Sequence, residues 1–570
     1  MADSERTGAE LFVETLEQYG VTHLFGNPGT TELPIVHATE DSDIEYILGL
    51  HEDIATGMAG GYASTRRYHA HHEDEPIGES DVLPLGVANL HLSAGLAHGL
   101  GNVYAASVAG APVLITAGIH STDFRHEEPI LHGDLVEMID QFTKWSDEVR
   151  SVEALPTMLR RAVRTALTPP TGPVFLALPL DQMLAETTAE PERLGTIPDG
   201  GRGDPGQVAR AADLLSEGTD IAMVLGDGVA RSGRDAVEDA IALAEAVGAR
   251  VHGEILACEV NFPTDHDQWV SFVPPNEDLA RTLMSADVLL QVGCSTNTTL
   301  TRHENDLIPS ETTCIDISDD AWQIGKNQPA DAAVIGDPGR VMSELADILA
   351  QDLSESTREQ RLESVAARRE FVGAKMEGMG EGEATDDPRA SKADLVDAME
   401  DVAEDAFIVD EGVTSKYAML TRWSLEADQY ISNKGGGLGY GLPASVGAAV
   451  AESLQDEPRD VVGFIGDGSY LYYPQSIYSA VRHDLDLTVV VPDNRNYRIL
   501  KDNTLDIMGG DEDDYDWVGM DFDPPVDLPK NAESHGARGH LVESPADIAS
   551  SFADALDREG TDVLDVLVHD

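Results

Sequence analysis

The sequence predicts an α/β protein built from three doubly wound parallel-sheet domains. Its 570 residues are too many for a single hydrophobic core. Short, wholly apolar runs such as residues 461–465 and 487–491 have the composition of strands that are buried on both faces of a parallel sheet. These runs alternate with helix-like segments along the chain, which is the pattern of α/β domains.

The first predicted domain covers residues 1–190. Residues 24–34 (Leu-Phe-Gly-Asn-Pro-Gly-Thr-Thr-Glu-Leu-Pro) have the pattern of a strand end, a turn and a helix start. Glu52 precedes a helical segment at 58–63 that is rich in small residues. Two further segments continue the alternation: 88–95 (Ala-Asn-Leu-His-Leu-Ser-Ala-Gly) and 111–118 (Ala-Pro-Val-Leu-Ile-Thr-Ala-Gly).

A linker rich in Pro, Gly and Glu, at residues 190–206, leads into a second predicted domain at residues 207–350. Within it, the apolar runs 221–225 and 288–292 predict two buried strands. The stretch 352–387 that follows is rich in Glu and Arg, which favours a partly helical connector with solvated charges.

The third predicted domain, residues 388–570, carries the most specific motif. Gly466-Asp467-Gly468 follows the run 461–465, and Asp493-Asn494 follows the run 487–491. Glycines on both sides of an acid at a strand end let the backbone approach a phosphate, while the acid faces a cation. Because carboxylate, amide and carbonyl oxygens suit octahedral magnesium, the pair predicts a magnesium–diphosphate site.

A second Gly-Asp-Gly, at residues 226–228, tests how specific this motif is. It also follows an apolar run, but the nearest later asparagine is Asn261, which is not at the matching distance. A lone Gly-Asp-Gly therefore predicts only a tight turn, and the spaced pair carries the functional signal.

Together with residues 24–34, 88–95 and 111–118, the spaced pair resembles the thiamine diphosphate (ThDP)-dependent 2-oxo-acid decarboxylases, and within them the benzoylformate decarboxylases. In that family Gly-Asp-Gly precedes an asparagine by about two dozen positions. Residues 433–444 (Asn-Lys-Gly-Gly-Gly-Leu-Gly-Tyr-Gly-Leu-Pro-Ala) are similar to the loop ahead of the family's diphosphate domain. The resemblance covers nearly the whole chain and implies pyrimidine-binding, central and diphosphate-binding domains in the pyruvate decarboxylase-like architecture.

The resemblance also implies where ThDP and magnesium bind. The side chains of Asp467 and Asn494 and the carbonyl of Asn496 match the magnesium ligands. Leu438 matches the residue that supports the bent cofactor, and Glu411 opens a loop that lies against the diphosphate. The full set of implied cofactor-binding positions is Pro28, Gly29, Glu52, Gly412, Val413, Thr414, Gly436, Leu438, Gly466, Asp467, Gly468, Ser469, Asn494, Asn496 and Tyr497.

Three residues match catalytic positions of the family. Glu52 matches the glutamate that hydrogen-bonds the aminopyrimidine and promotes formation of the ylide, since a carboxyl can share a proton with a ring nitrogen. His91 matches a pocket histidine of benzoylformate decarboxylases, and Thr30 lies where these enzymes bind the substrate carboxylate through a serine.

Several positions depart from the family pattern and put an aromatic substrate in doubt. His303 lies some residues late for the central-domain histidine, and Ser432 and Asp502-Asn503 stand where the family's pocket has aromatic residues. Lys434 and Lys501, two of only eight lysines, either hold an anionic group of the substrate or pair with local acids such as Asp502.

The predicted function is therefore a magnesium- and ThDP-dependent, non-oxidative decarboxylase of a 2-oxo acid. The alternative is a carboligase resembling acetolactate synthase but without FAD, because residues 294–301 lack the arginine expected of FAD-binding relatives. An inactive scaffold of the same fold is a third possibility, which the intact Glu52, Asp467 and Asn494 disfavour.

The charge of the chain is strongly acidic, with 37 basic and 104 acidic residues and a formal net charge of −67. Such a surface repels itself at low ionic strength, whereas molar salt shortens the Debye length to about 3 Å. This composition resembles proteins of halophiles that accumulate salt. Without a basic patch, nucleic-acid binding is not expected. Without an 18-residue apolar stretch or a signal-like N-terminus, we expect no membrane contact and a cytoplasmic location.

Two further expectations concern assembly and a histidine-rich segment. The family joins the pyrimidine domain of one subunit to the diphosphate domain of another, so the resemblance implies a homodimer or homotetramer with sites at the interface. Residues 67–83 have the pattern of an exposed acidic insertion; its His69, His71, His72 and Glu73 are alternative candidates for a transition-metal site.

Overall fold

A computed structural model describes residues 5–73, 76–78, 80, 82–295, 298–381 and 387–570, with the backbone alone over 374–381. Three six-stranded sheets dominate the structure, and the pairings described within them are parallel. The prediction of three parallel-sheet α/β domains is confirmed.

The first sheet has the strand order β3-β2-β4-β5-β7-β6, and β1 pairs separately with β8. The strands and helices of this region are β1 (Arg6–Thr7), α1 (Gly8–Gln18), β2 (His23–Gly26), α2 (Leu33–Ala38), β3 (Glu45–Leu48), α3 (Glu52–Ala70), β4 (Gly86–His91), α4 (Leu92–Ala109), β5 (Val113–Ile119), α5 (Leu135–Ile139), β6 (Ser146–Glu148), α6 (Leu155–Leu167), β7 (Val174–Pro179), α7 (Leu180–Leu184) and β8 (Glu186–Thr187), with 3₁₀ turns at Thr39–Asp41, Arg125–Glu127, Asp140–Phe142 and Val152–Ala154.

The second sheet, formed by the central region, has the order β11-β10-β9-β12-β13-β14. Its elements are α8 (Pro205–Glu217), β9 (Ile221–Leu225), α9 (Gly228–Arg231), α10 (Arg234–Val247), β10 (Arg250–Gly253), β11 (Trp269–Phe272), α11 (Glu277–Met284), β12 (Val288–Val292), β13 (Thr313–Ser318), β14 (Ala332–Ile335), α12 (Pro338–Asp352) and α13 (Glu355–Glu381). The strands expected at 221–225 and 288–292 are β9 and β12, and most of the acidic connector is the 27-residue helix α13.

The third sheet has the order β16-β15-β17-β18-β20-β19. Its region contains α14 (Lys392–Glu400), β15 (Phe407–Glu411), α15 (Lys416–Arg422), β16 (Tyr430–Ser432), α16 (Gly441–Glu452), β17 (Val461–Ile465), α17 (Asp467–Tyr470), α18 (Ser476–Arg482), β18 (Leu487–Asp493), α19 (Arg498–Met508), α20 (Leu528–Ser534), β19 (Arg538–Val542), α21 (Ile548–Leu556) and β20 (Thr561–Leu567), with 3₁₀ turns at Glu512–Asp514 and Pro545–Asp547.

The first and third sheets share one topology, since each places its first strand between its second and third. The connections therefore leave in opposite directions from β2 and β4, and again from β15 and β17. In doubly wound sheets, ligands bind at the carboxyl ends of the strands at this switch point. The topology thus marks two places for a ligand, one after β2 and β4 and the other after β15 and β17.

Helices α3 and α16 pack closely because small residues face each other. A Cβ on Gly61 would lie 2.2 Å from the Ala444 carbonyl oxygen, and one on Gly447 would lie 2.0 Å from the Met58 carbonyl oxygen. Any larger side chain at either glycine would push the helices apart. The small-residue pattern at 58–63 therefore serves helix packing.

The last turn of α3 corrects one expectation from sequence. His69 is buried within the helix, and its Nε2 lies 3.0 Å from Glu452 Oε1 of α16, where Arg459 also donates to Glu452. The exposed loop predicted from residue 67 onward is therefore wrong for residues 67–70, which form the buried last turn of α3. The Glu452 carboxylate satisfies the buried His69 imidazole there. The His69 imidazole is thus hydrogen-bonded to a carboxylate of the fold itself.

The chain divides into two compact units. The first holds residues 1–198, 406–414 and 433–568, and the second holds residues 199–405, 415–432 and 569–570. The domain boundaries 1–190, 207–350 and 388–570 stay a prediction. Among the described residues, no helix is both long enough and apolar enough to cross a membrane.

Candidate active site

The first switch point brings together residues 24–34 and the end of β4. His91 is the last residue of β4, and its ring lies against Gly29, where an added Cβ would be only 2.1 Å from the imidazole. Pro28 and Thr30 are exposed beside it. Gly29 is therefore required by the close approach of His91, in addition to its predicted role in holding the cofactor.

Glu32 holds His91 in a defined orientation. Its fully buried carboxylate lies 2.7 Å from His91 Nδ1 through Oε2, and it accepts hydrogen bonds from the Thr31 hydroxyl and the Gly118 N–H, at 2.7 and 2.8 Å, through Oε1. The hydrogen bond that Glu32 accepts from His91 raises the pKa of His91, against the opposing effect of desolvation. With Nδ1 directed at Glu32, the second ring nitrogen, Nε2, is left to act on a ligand.

Glu52 is the first residue of α3 and points toward the same region. An added Cβ on Gly95 would lie 2.9 Å from Glu52 Oε1 and 3.3 Å from His91 Cβ, so the three residues are neighbours. Glu52 Oε2 lies 3.1 Å from His98 Nδ1, and 15% of the Glu52 side chain is exposed. The structure therefore brings the predicted Glu52 and His91 together, and Thr30 stays a prediction on the exposed turn.

The second switch point contains the predicted magnesium ligand Asp467. This residue lies two positions after the end of β17 and is buried, and no hydrogen-bond donor among the described residues reaches its Oδ2. Burial and the adjacent Asp493 carboxyl raise the pKa of Asp467 to about 8. Asp565, on β20, has its pKa raised to about 8 by burial and the same neighbour.

Three buried carboxyls in contact, two of them with an oxygen that has no hydrogen-bond partner among the described residues (Asp467 Oδ2 and Asp565 Oδ1), fit a bound cation. An isolated buried carboxylate is costly unless it is paired, protonated or bound to a metal. Ser469 Oγ, close by on α17, also has no hydrogen-bond partner. The donors are all oxygens, which is the chemistry that magnesium prefers.

The other predicted ligands lie on the loop after β18. Asn496 is buried, and its Nδ2 donates to the Asn494 carbonyl at 2.8 Å. The Tyr497 ring lies against Gly468, where an added Cβ would be 2.5 Å away, so Gly466-Asp467-Gly468 and this loop are in contact. The structure therefore brings the two halves of the spaced motif together.

The loop after β15 and the glycine loop 433–441 are joined by Glu411. Its buried carboxylate accepts from Asn433 Nδ2 at 2.7 Å and from the Gly441 N–H at 2.9 Å. Burial raises the pKa of Glu411 to about 7, although these hydrogen bonds oppose the shift. Glu411 thus fixes the loop that carries exposed Gly436, whose φ is +70°, and half-buried Leu438.

Residues 412–414 form the turn that follows Glu411. Gly412 is buried and its N–H donates to Asp410 Oδ1 at 2.7 Å, while Val413 has a φ of +53°. A β-branched residue in this region is strained, and such strain is concentrated at functional sites. The strain supports the predicted role of this turn, at the end of β15 beside the second switch point.

The second Gly-Asp-Gly has a different environment. The Asp227 carboxylate accepts from the N–H groups of Cys258 and Glu259, at 2.9 and 3.1 Å, through Oδ1, and from the Cys258 thiol at 3.0 Å through Oδ2. Both oxygens are used by the fold itself. Asp227 therefore has the environment of a structural turn, whereas Asp467 keeps an oxygen that could bind a cation.

Sequence reasoning missed Glu32, Asp493 and Asp565 as parts of these sites. Glu32 lies inside the quoted segment 24–34, but only the fold shows that it meets a histidine 59 positions away. The acid pair at Asp493 and Asp565 had no sequence signal beyond an acid before Asn494 and one on the last strand.

The positions that depart from the family's substrate pocket have partners within the protein. Lys501 Nζ lies 2.6 Å from Asp521 Oδ1, Asp502 accepts from Arg498 at 2.7 Å, and the Ser432 hydroxyl accepts from Lys416 at 2.7 Å. His303 Nδ1 lies 2.6 Å from the Asn305 carbonyl oxygen. Of the two interpretations of Lys501, this arrangement favours an ion pair with a local acid, Asp521, over a contact with the substrate.

We expect Glu32→Gln to change the pH dependence of turnover. If His91 donates a proton, the carboxylate that raises its pKa sets the alkaline limb of the kcat/KM profile, and its loss moves that limb to lower pH. Because a hydrogen bond to a charged group contributes about 1.5–3 kcal/mol, the loss in kcat/KM should be roughly 10–100-fold. A pH–rate profile of each variant measures this.

Glu40→Gln is the matched control, since Glu40 lies 3.2 Å from His37 on the surface, where both side chains are largely exposed. That variant should leave the profile unchanged. An unshifted alkaline limb in Glu32→Gln would show that His91 is not the group that titrates.

This fold and these two sites define an α/β protein of the class that holds a diphosphate cofactor at the ends of parallel strands. Comparison with known proteins is specific. Three thiamine pyrophosphate enzyme models match in order: the N-terminal TPP binding domain over residues 6–143, the central domain over 208–345 and the C-terminal TPP binding domain over 410–566. The chain belongs to the thiamine pyrophosphate (thiamine diphosphate) enzyme family.

Individual relatives are similar over most of their length. Benzoylformate decarboxylase of Pseudomonas aeruginosa is 28% identical, covering 89% of this chain and 90% of that enzyme. A probable acetolactate synthase large subunit of Methanocaldococcus jannaschii is 26% identical over 98% of this chain and 92% of its own. The solved benzoylformate decarboxylase of Polynucleobacter necessarius superposes with a TM-score of 0.85 at 26% identity, covering 99% of each chain.

Proposed function

We propose that the protein is a magnesium- and ThDP-dependent, non-oxidative decarboxylase of a 2-oxo acid. The observation that carries the proposal is the buried Glu32 carboxylate that holds the half-buried His91 beside Glu52, which supplies a proton donor next to the activating acid. The relationship to benzoylformate decarboxylase supports the same reaction class.

The residues present fit the cofactor. Asp467, Asn494 and the Asn496 carbonyl would hold magnesium and through it the diphosphate, with Ser469 Oγ and the N–H groups of the loop after β15 as further contacts. When bound, ThDP would supply a carbon nucleophile for the keto group and a sink for the electron pair that stays behind when carbon dioxide departs.

The chain's own groups divide the remaining work. Glu52 would exchange a proton with the pyrimidine ring of the bound cofactor. This exchange would favour deprotonation of the cofactor, which is the step that activates it. His91, held through Nδ1 by Glu32, presents Nε2 to protonate the product carbon. The exposed Thr30 hydroxyl would bind the substrate carboxylate at the turn.

A second candidate is a carboligase, because acetolactate synthases are among the relatives at 26% identity. It would act without FAD. At the switch point of the central sheet, between β9 and β12, the Glu254 carboxylate accepts from the N–H groups of Asp227 and Ser295, at 3.1 and 2.7 Å. These are the backbone groups that a nucleotide phosphate would use at this point.

A panel of 2-oxo acids tests the proposal. The protein is assayed with ThDP and magnesium in molar potassium chloride, and carbon dioxide and organic products are measured together. Release of carbon dioxide with one aldehyde per substrate supports the decarboxylase. Products in which a new carbon–carbon bond joins two substrate molecules identify the carboligase. If no 2-oxo acid is turned over, both the decarboxylase and the carboligase are ruled out.

We also propose that the protein works as a homodimer or homotetramer, with Glu52 of one subunit completing the site at Asp467 of another. Large apolar side chains are exposed near both sites: Ile130 and Leu131 after β5, and Ile507, Met508 and Val518 near α19, with Ile130 and Val518 more than 85% exposed. A second copy would bury such a surface.

A further inference from the structure

Histidines around Glu52 form a group that the proposed reaction does not use. Among the described residues, His51, Glu52 and His98 are the one group of three potential metal ligands whose ligand atoms all lie within 4.8 Å of one another. His51 and Glu52 begin α3, and His98 comes from α4. Two imidazoles and one carboxylate are the ligand set of many zinc sites with an open fourth position.

The two imidazoles are held beside each other by ring contacts. The His51 ring stacks on His98 with 5.2 Å between centroids, and the Tyr473 ring lies tilted beside His51 at the same distance. The Tyr473 hydroxyl donates to Asp53 Oδ2 at 2.9 Å, which ties this group of rings to α3. Two neighbouring rings therefore hold His51 before any ion binds.

Both histidines can offer a lone pair. The Asp53 N–H donates to His51 Nδ1 at 3.1 Å, so this nitrogen is unprotonated, and an ion would take that lone pair in place of the helix cap. His98 Nδ1 faces Glu52 Oε2 at 3.1 Å. An ion bound between these two atoms would take the place of a proton there, because metal binding displaces protons from its ligands.

The distances require only a small movement. Tetrahedral zinc with bonds of about 2.0–2.1 Å separates its ligands by about 3.3 Å. The His98 side chain is 58% exposed and can rotate toward the other two ligands. The positive end of α3 opposes a cation, but the charge of Glu52 offsets it locally.

We propose that His51, Glu52 and His98 bind Zn²⁺ and that the bound ion inhibits the enzyme by occupying Glu52. Imidazole nitrogen suits zinc and is a poor ligand for magnesium, so the magnesium that the enzyme needs would not occupy the inhibitory site. The inhibition, though not the binding, rests on the proposed role of Glu52 in activating ThDP.

Zinc binding is tested directly on the full-length protein. The metal alone is titrated by calorimetry in molar potassium chloride, and Co²⁺ replaces Zn²⁺ to report coordination by visible absorption. We expect one site per chain, weakened at least about tenfold by His98→Asn. His37→Asn is the matched control, since His37 also lies beside a glutamate but has no third ligand in the described structure, and it should bind like the wild type.

Equal zinc affinity in His98→Asn and the wild type would overturn the site, whatever the enzyme decarboxylates. If binding is confirmed, stoichiometric Zn²⁺ should inhibit the wild type and spare His98→Asn. Inhibition that is equal in both variants would mean that the ion acts elsewhere, and an altered activity of His98→Asn without any zinc dependence would show that His98 only positions Glu52.

Discussion

Glu52→Gln should retain cofactor binding and lose about 10²–10⁴-fold in kcat, the range that general acid–base catalysis contributes. The amide can still donate or accept one hydrogen bond, but it cannot take up the proton that the carboxylate exchanges. Glu52 lies in the first region, on α3, whereas the predicted magnesium and diphosphate contacts lie after β15, β17 and β18. Its loss should therefore leave affinity for the magnesium–diphosphate group largely intact.

Two measurements separate these effects. Stabilisation of the protein by ThDP and magnesium in a thermal melt reports binding, because a ligand that binds the native state raises its unfolding free energy. Single-turnover kinetics report the chemical step. Full activity in Glu52→Gln would remove the assignment of Glu52 as the activating acid.

The same variant tests assembly. If Glu52 and Asp467 meet only across subunits, mixing inactive Glu52→Gln with inactive Asp467→Ala should restore some activity after subunit exchange, since hybrid oligomers contain some intact sites. No recovery in an oligomer that exchanges subunits would place both residues of one site in one chain.

The sequence was informative where local composition decides structure. The apolar runs at 461–465 and 487–491 became central parallel strands, because residues buried on both faces of a sheet leave no room for polar side chains. The helical segment predicted at 58–63 from its small residues lies within α3, which begins earlier, at Glu52. These features depend on neighbours in the chain.

Features that depend on distant partners could not be predicted. The acidic insertion at 67–83 predicts an exposed loop, yet His69 is buried against Glu452, which also accepts from Arg459, within the α3–α16 pair. Glu32 gained its role only when the crossover from β2 to β4 brought it to His91. In both cases a contact with a distant part of the chain overrides the local preference.

Asp467→Ala should abolish magnesium-dependent binding of ThDP without harming the fold. Losing one partner of a buried ion pair costs about 3–5 kcal/mol, which corresponds to roughly 10²–10³-fold in affinity. The apo protein should keep most of its stability. The variant loses the hydrogen bond that the Gly468 N–H donates to Asp467 Oδ1, at 2.8 Å, but it also removes a buried carboxyl whose charged form is disfavoured, since burial and Asp493 raise its pKa to about 8. Calorimetric titration and thermal unfolding of the apo protein measure the two quantities.

Asp227→Ala should give the opposite result. It is the matched control, because it makes the same substitution in the other Gly-Asp-Gly of the chain. Its carboxylate serves buried donors on Cys258 and Glu259, and each donor left unsatisfied costs about 1–3 kcal/mol of stability. We therefore expect a lower free energy of unfolding with unchanged affinity for ThDP. Equal losses of cofactor affinity in the two variants would mean that an orphaned buried oxygen does not distinguish the cofactor-binding Gly-Asp-Gly from the structural one.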